Sequence, residues 1–211
     1  MSTLGIMKAR IASDLRRSDL TAQIADAVAT AIAAYQHERF GFSESRSLTF
    51  STIVDQEFYS ASDVPNLAKI RRIDNVHIGV SGNMSKLDPI SQDEVEGLSQ
   101  DGTQRGDPLY YSWYARQFRL YPIPTMVYTV RIAGHVAVAA PASDVEIDNP
   151  WMTDAERLIR SRAKYEIALH VLRDEKLAQA MTDAVLEAEN QLIILANREK
   201  PSSCTIDATR F

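Results

Sequence analysis

Apolar residues recur at helical spacing at the beginning of the chain. Residues 4–15 carry an apolar side chain every three or four positions, and a second series of this kind covers residues 20–35. This pattern predicts two amphipathic helices. Ser18 or Asp19 is the expected cap of the second helix, because short polar side chains accept hydrogen bonds from the first free backbone amides. Gly41 is its expected end.

From residue 47 onward the spacing changes to alternation, which is typical of a strand with one buried face. The alternating residues are Leu48, Phe50, Thr52, Val54, Val76, Ile78 and Val80. Residues 100–108 are dense in turn formers and predict an exposed, disordered loop. Residues 109–121 and 126–135 alternate again, and we expect these two segments to form an antiparallel pair.

Two capping boxes, in which a Ser or Thr is followed three residues later by Glu, predict further helix starts. Ser91-Gln92-Asp93-Glu94 opens a short helix near residues 91–98, and Thr153-Asp154-Ala155-Glu156 opens a longer one. Asp174 is the expected cap of a last helix, which Lys200-Pro201 ends.

The order helix, helix, β-rich segment, helix, helix predicts an α+β fold. We expect the N- and C-terminal helices to pack as a helical bundle with a central antiparallel β-rich insertion. The whole chain, 1–211, should form a single domain. Residues 1–40 and 151–200 would be its helical body, residues 41–150 its β-rich insertion, and residues 201–211 a C-terminal tail that frays or docks.

Composition favours a folded protein. Hydrophobic residues make up 45% and charged residues 24% of the 211 residues, which is the ordinary globular mixture. A single cysteine, Cys204, is too few for an intramolecular disulfide or a cysteine-built zinc site. No apolar run approaches the roughly 18 residues of a membrane span, and residues 1–10 lack a secretory pattern, so we expect no membrane association.

The formal charge of −5 is unevenly distributed along the sequence. Residues 41–149 carry nine Lys and Arg against fourteen Asp and Glu, whereas the flanking segments together are balanced. Proteins that hold DNA tightly usually have a basic excess, because neutralisation of phosphates supplies most of that affinity. The sequence therefore argues against tight DNA binding.

Residues that could carry catalysis are isolated from one another. His37, His77, His135 and His170 do not fall at the spacings that place two metal ligands on one face. Cys204 has no base near it in the sequence. We therefore expect no enzyme, and no catalytic, cofactor-binding or metal-binding residues.

One acidic segment leaves an alternative open. Asp144, Glu146 and Asp148 alternate and could bind a divalent cation, although the central glycine and distal glutamate of a calcium-binding loop are missing. A solvated loop is the simpler interpretation. The alternative is a metal-dependent nuclease or cell-wall hydrolase that uses these carboxylates and binds metal stoichiometrically.

The densest aromatic group of the chain also has two interpretations. Its members are Tyr110, Tyr111, Trp113, Tyr114, Phe118 and Tyr121. They could stack on nucleic acid or sugar, but core packing is the better interpretation. On two strands these rings fall on both faces, so at least one face must be covered by helices or by a neighbouring subunit.

The order of several segments carries a resemblance to a known family. These segments are Arg39-Phe40-Gly41-Phe42, a strand at residues 48–54, Phe58-Tyr59, Ile70-Arg71-Arg72-Ile73-Asp74-Asn75-Val76, Tyr110-Tyr111-Ser112-Trp113, Phe118-Arg119-Leu120-Tyr121-Pro122-Ile123-Pro124 and Tyr128-Thr129-Val130. With helices on both sides, they resemble the head-tail adaptor (connector) proteins that bind below the portal in tailed bacteriophages. The likeness covers residues 15–198, and residues 60–66 depart from the compact turn of that family.

The resemblance implies a structural virion protein of the neck, made in the host cytoplasm during assembly. It implies a ring of twelve copies that binds the portal protein and a downstream tail or nozzle protein. The ring would extend the DNA channel without specific DNA binding and offer a platform for tail attachment. Thr205, Ile206 and Phe211 of the tail would be the portal-docking residues. Another phage neck or tail completion protein is the alternative within the same class.

Overall fold

The computed structural model describes residues 2–99 and 104–198, which form an α+β fold, as the sequence predicts. The helices of these residues are α1 (Leu4–Leu15), α2 (Thr21–Tyr35), α3 (Gln92–Leu98), α4 (Pro150–Thr153), α5 (Glu156–Glu166) and α6 (Glu175–Arg198). The strands are β1 (Glu44–Ser51), β2 (Phe58–Tyr59), β3 (Ile70–Val80), β4 (Asn83–Pro89), β5 (Arg105–Gly106), β6 (Tyr110–Tyr114), β7 (Gln117–Tyr121), β8 (Ile123–Pro124) and β9 (Thr129–Val136).

Contacts divide the chain into two compact units. The helical unit comprises the residues up to Phe42 and those from Val138 onward, and the β unit is Ser43–Ala137. A π-helix, Ile167–Leu172, continues α5 in the helical unit. The expected organisation of residues 1–211 as a single domain stays a prediction.

Helix α5 lies at the centre of the helical unit, where it contacts α1, α2 and α6. Buried side chains of this core include Met7, Ile11, Ile24, Val28, Ile32, Trp151, Met152, Leu158, Ile159 and Ile167. Each contributes about 1.5–3 kcal/mol relative to an exposed position. The helical spacing that predicted α1 and α2 is therefore the spacing of residues that face α5.

The cap and the end predicted for the second helix are wrong. Leu20 occupies the cap position of α2 without a side-chain hydrogen bond, and Asp19 instead pairs with Arg17, Nη2 to Oδ2, at 2.7 Å. The helix ends at Tyr35, six residues before Gly41. Leu20 is buried, so packing of its side chain fixes the start of α2. The capping hydrogen bond that was expected from Ser18 or Asp19 is not used.

The two capping boxes have different outcomes. Ser91 and Glu94 exchange both hydrogen bonds of the box at the start of α3, as predicted. The box predicted at Thr153 does not form, because the Thr153 hydroxyl donates to the Asn149 carbonyl at 3.3 Å. Asn149 caps the extra turn α4 instead. Asp174 accepts from the Leu177 amide at 3.0 Å, consistent with its predicted role at the start of α6.

The main sheet has the strand order β1-β9-β3-β4-β6-β7-β2 and is mixed. The expected purely antiparallel arrangement fails at β4 and β6, where Asp88 and Pro89 pair in parallel with Tyr110 and Tyr111. Helix α3 lies in the connection between these strands. A crossover of this kind returns the chain to its starting end, so that the next strand runs in the same direction.

The antiparallel pair expected between residues 109–121 and 126–135 is also wrong. The first segment folds on itself as the β6–β7 hairpin, and β9 pairs with β1 and β3. Ala115 and Arg116 form the hairpin turn with φ values of 48° and 61°. This left-handed pair is the geometry of a tight two-residue turn, which usually selects Asn-Gly.

Both outer strands of the main sheet are modified at their edges. In β1 the register shifts between Ser45 and Leu48. The chain advances three residues there, whereas the opposite strand β9 advances only two, from Gly134 to Ile132. This extra residue is a β-bulge. At the other edge, β2 has only two residues.

Candidate assembly surfaces

A buried arginine connects β7 to two other segments of the β unit. The side chain of Arg119 is 5% exposed, and its Nε donates to Glu57 Oε1 at 2.5 Å. Its other nitrogens reach Glu96 Oε1 at 2.8 Å and Ser99 Oγ at 2.9 Å. The guanidinium also lies 4.9 Å from the centre of the Phe58 ring. The cation is thus paired within the protein, and this arrangement is structural.

Two neighbouring loops of the β unit are tied together by buried polar groups. The Thr52 amide donates to the Tyr128 carbonyl at 2.8 Å, and the Tyr128 amide donates to Thr52 Oγ1 at 2.8 Å. Thr52 Oγ1 in turn donates to the Met126 carbonyl at 3.2 Å. The fully buried Tyr59 receives a hydrogen bond from the Ile53 amide at 3.1 Å through its hydroxyl. The backbone of both loops is therefore fixed.

The same two loops present four large apolar side chains to solvent. We call them the apolar ridge, and its members are Ile53, Val54, Met126 and Val127. They are 45–56% exposed. A single exposed apolar residue is ordinary, but a group of them usually marks a contact surface. An ion pair between Arg105 and Asp55, at 2.8 Å, lies beside the ridge.

The helical unit has an apolar surface of its own near the end of α6. Leu186, Ile193, Ile194 and Leu195 are each about half exposed. The buried face of α6 carries Val185 and Ala188, which pack in the helical core. Leu186, Ile193 and Ile194 therefore lie outside the stripe that holds α6 in place, whereas Leu195 continues that stripe beyond Leu192.

A groove of about 470 Å³ adjoins this end of α6 within the helical unit. Its lining residues are Phe40, Gly41, Phe42, Thr153, Asp154, Leu192, Leu195 and Ala196. Phe40 and Phe42 stack with ring centres 5.3 Å apart, and the edge of Trp151 meets Phe42 at 5.2 Å. Part of the wall is thus a rigid aromatic cluster.

Most residues of the predicted aromatic group pack in the core of the β unit, which was the preferred interpretation. Tyr111 and Phe118 stack at 5.5 Å in the core of the β unit. Tyr121 is buried and its hydroxyl donates to the Leu98 carbonyl at 2.8 Å. Tyr114 is the exception, since it is 65% exposed next to the hairpin turn.

The acidic segment considered as a metal site has other partners. Asp144 Oδ1 accepts from Lys8 Nζ at 2.7 Å, and Glu146 accepts from the Asn149 side chain at 3.0 Å. These hydrogen bonds lower the pKa of Glu146, with Asn149 as the largest cause and the Ala142 amide as the next. Among residues 2–99 and 104–198, no group of three His, Cys, Asp or Glu side chains is placed to hold a metal ion.

The four histidines are dispersed over both units. His37 is exposed, His77 lies across the sheet from Lys86 and Arg131, and His135 is buried. His170 Nε2 lies 3.3 Å from Glu166 Oε2 on the surface of the helical unit. The predicted docking residues Thr205, Ile206 and Phe211 lie outside the described residues, as do positions 100–103 of the predicted loop.

Sequence reasoning missed the apolar ridge and the buried arginine. Both depend on contacts between segments distant in the sequence, such as Thr52 with Tyr128 and Arg119 with Glu57. One signal for the ridge was available. Both segments were expected to alternate as strands, but residues 53–54 and 126–127 are apolar at successive positions, which a strand with one solvated face would avoid.

The fold and these surfaces define an α+β protein that exposes groups of large apolar side chains, a feature that usually marks contact surfaces. In the part of the chain that the structure covers, no helix has the length and apolar character needed to cross a membrane.

A family model described as SU10 adaptor protein matches residues 2–203, and the chain therefore belongs to this family. No curated protein matches it. The match confirms the predicted resemblance to bacteriophage head-tail adaptors, which are structural proteins. A phage adaptor associates with other capsid or tail proteins at the head-tail region of the virion.

Proposed function

We propose that this chain is a head-tail adaptor that forms a ring beneath the portal, at the neck of the virion. The observation that carries the proposal is the family match over residues 2–203. The apolar ridge supports it, because a preorganised contact surface loses little conformational entropy when a partner binds. The proposed partners are the portal protein, a downstream tail or nozzle protein, and further copies of this chain.

In this proposal twelve copies surround the path of the DNA, which passes without specific binding. The acidic excess of residues 41–149 favours such a wall, because it does not retain phosphates. The N- and C-terminal helices would form the body of the ring as a bundle, with the β-rich segment inserted in a single domain. The ring works without a catalytic site and assembles from copies made in the host cytoplasm.

Size-exclusion chromatography with mass detection tests the proposal. The purified chain is run alone and after mixing with its cognate portal ring. We expect about one adaptor per portal subunit in a stable complex. A chain that never joins the portal contradicts the neck-ring function and favours another neck or tail completion protein.

The portal-docking residues of the tail are a separate part of the proposal. Deletion of residues 202–211, which removes Thr205, Ile206 and Phe211, should leave a folded chain that no longer binds the portal. Circular dichroism serves as the control for folding. Unchanged portal binding would show that the docking surface lies elsewhere.

A further inference from the structure

The groove beside the end of α6 carries an inference about the free chain. We propose that the groove, lined by Phe40, Phe42, Leu192 and Leu195, binds the chain's own residues 206–211 before assembly. Phe211 would enter the apolar part of the groove and Arg210 would pair with Asp154 at its rim. The intrachain contact is independent of the ring, whereas its regulatory consequence rests on the proposed function.

The size and lining of the groove fit an aromatic side chain. Its volume of about 470 Å³ lies within the usual range for ligand pockets, about 300–1,000 Å³. The ring of Phe42, which is partly exposed and stacks on the buried Phe40, offers a surface that a further ring can contact. Leu195 is 52% exposed at the groove and would lose that exposure when the groove is filled.

The charges at the groove match the sequence that follows α6. Asp154 is exposed at the rim, and within the described residues its carboxylate has no ion pair. Arg210 precedes Phe211, so a segment that inserts the ring brings a guanidinium to the rim. An arginine and a carboxylate can then form two parallel hydrogen bonds.

The length of the remaining chain permits this contact. Leu195 lies three residues before Arg198, about 5 Å along the helix axis. The thirteen residues 199–211 can span about 43 Å when extended. A tethered segment of this length has an effective concentration in the millimolar range, which favours it over a second copy at ordinary protein concentrations.

Such a contact would make assembly conditional. Ile206 and Phe211 are also among the proposed portal-docking residues, and they cannot occupy the groove and the portal together. The portal must then displace the segment from the groove. Free chains would meanwhile keep this apolar surface covered.

Backbone amide spectra of the full-length chain test the inference. We compare the wild type with Phe211→Ala and with Thr209→Ala, a neighbouring change that keeps the aromatic anchor. Phe211→Ala should shift the amides of Gly41, Asp154 and Ala196, and Thr209→Ala should leave them nearly unchanged. Amides at a second groove of the helical unit, near Gln23 and Val171, should not move with either variant.

A charge exchange tests the ion pair in the same spectra. Asp154→Arg and Arg210→Asp should each shift the groove amides towards their positions in Phe211→Ala, and the double variant should restore the wild-type positions. Groove amides that do not respond to Phe211→Ala would overturn the inference. Shifts that grow with protein concentration would overturn it too, because the occupant would then be a second copy.

The outcome can be separated from the test of the proposed function, since the spectra need no portal. If the wild-type chain fails to bind the portal, that result contradicts the proposed ring but leaves the intrachain contact untouched. In portal titrations, Asp154→Arg should bind faster than the wild type if the groove holds the segment back. An unchanged rate would contradict the regulatory consequence.

Discussion

Arg119 is the residue on which several segments of the β unit converge. Its guanidinium joins β7 to Glu57 and Glu96, and its side chain is nearly inaccessible. A charge in this position is tolerated because it is paired and hydrogen-bonded, and removing it leaves a partly buried carboxylate without a partner.

Replacement of Arg119 should therefore lower stability substantially. We expect Arg119→Ala to reduce the free energy of unfolding by about 2–4 kcal/mol, since Glu57 loses its cation and the groups around it lose hydrogen bonds. Urea unfolding measures the change. The matched control is Arg157→Ala, which breaks an exposed pair with Glu187 and should cost under about 1 kcal/mol. Equal losses would contradict a special role for Arg119.

Tyr59 links stability to alkaline pH. Burial raises the pKa of the Tyr59 hydroxyl above its usual value of 10.0, the neighbouring charge of Asp63 adds to the rise, and a backbone hydrogen bond with Ile53 opposes it. Because the folded protein favours the neutral phenol, its stabilising contribution is complete below about pH 10. It is lost as the pH rises through the raised value.

We expect the free energy of unfolding to fall as the pH rises above about 10, and to fall less steeply in Tyr59→Phe. At neutral pH the same variant should lose about 1–2 kcal/mol, because the Tyr59 hydroxyl also donates to the Gln56 carbonyl at 3.0 Å. Urea titrations at several pH values measure both effects. Tyr114→Phe, at an exposed ring, is the control and should behave as the wild type.

At the scale of elements, the β6–β7 turn holds two residues in a conformation that side chains disfavour. Ala115 and Arg116 both have positive φ. Ala115→Asn with Arg116→Gly should raise the free energy of unfolding by about 0.5–1 kcal/mol, because this pair adopts the turn without the steric cost. Thermal unfolding measures the gain. Gly82→Ala, at φ 90° in the β3–β4 turn, should lower stability by about 1 kcal/mol as the opposite control.

The sequence predicted elements whose signals are local. The repeat of residues 4–15 and the box at Ser91 depend on contacts within a few residues, and both α1 and α3 are observed. Strand pairing was predicted poorly, since β9 pairs with β1 and β3 from much earlier in the chain. Alternation states which side of a strand is buried but contains no information on its neighbour.

Among the candidate surfaces, too, local features were predicted from the sequence and contacts between distant segments were not. The aromatic residues were predicted to pack in the core, and Tyr111 and Phe118 do so. The ridge arises because hydrogen bonds at Thr52 hold two distant loops side by side, and a threonine gives no sign of its partner. The groove likewise needs Phe42 and Leu195 to meet, although more than 150 positions separate them in the sequence.

For the whole molecule, the apolar ridge should matter for assembly and not for folding. Val127 is 56% exposed, so Val127→Asp should change the free energy of unfolding by under about 0.5 kcal/mol. Complex formation with an adaptor partner should weaken tenfold or more if the ridge is the contact. Chromatography of mixtures with the portal and with the downstream tail protein measures this change.

The control for this variant is Val145→Asp, at a residue that is 80% exposed in the helical unit. It introduces the same charge outside the ridge and should leave both complexes intact. If Val127→Asp binds every partner as tightly as the wild type, the ridge is not an assembly contact.

The bulged strand β1 and the two-residue strand β2 have a consequence for how copies can associate. A long, regular sheet edge would let chains add strand to strand without limit and form fibres. Here one edge is kinked by the extra residue between Ser45 and Leu48, and the other offers little backbone for pairing. Copies are thus steered towards contacts between side-chain surfaces, whose fixed angles can close an assembly at a finite number of members.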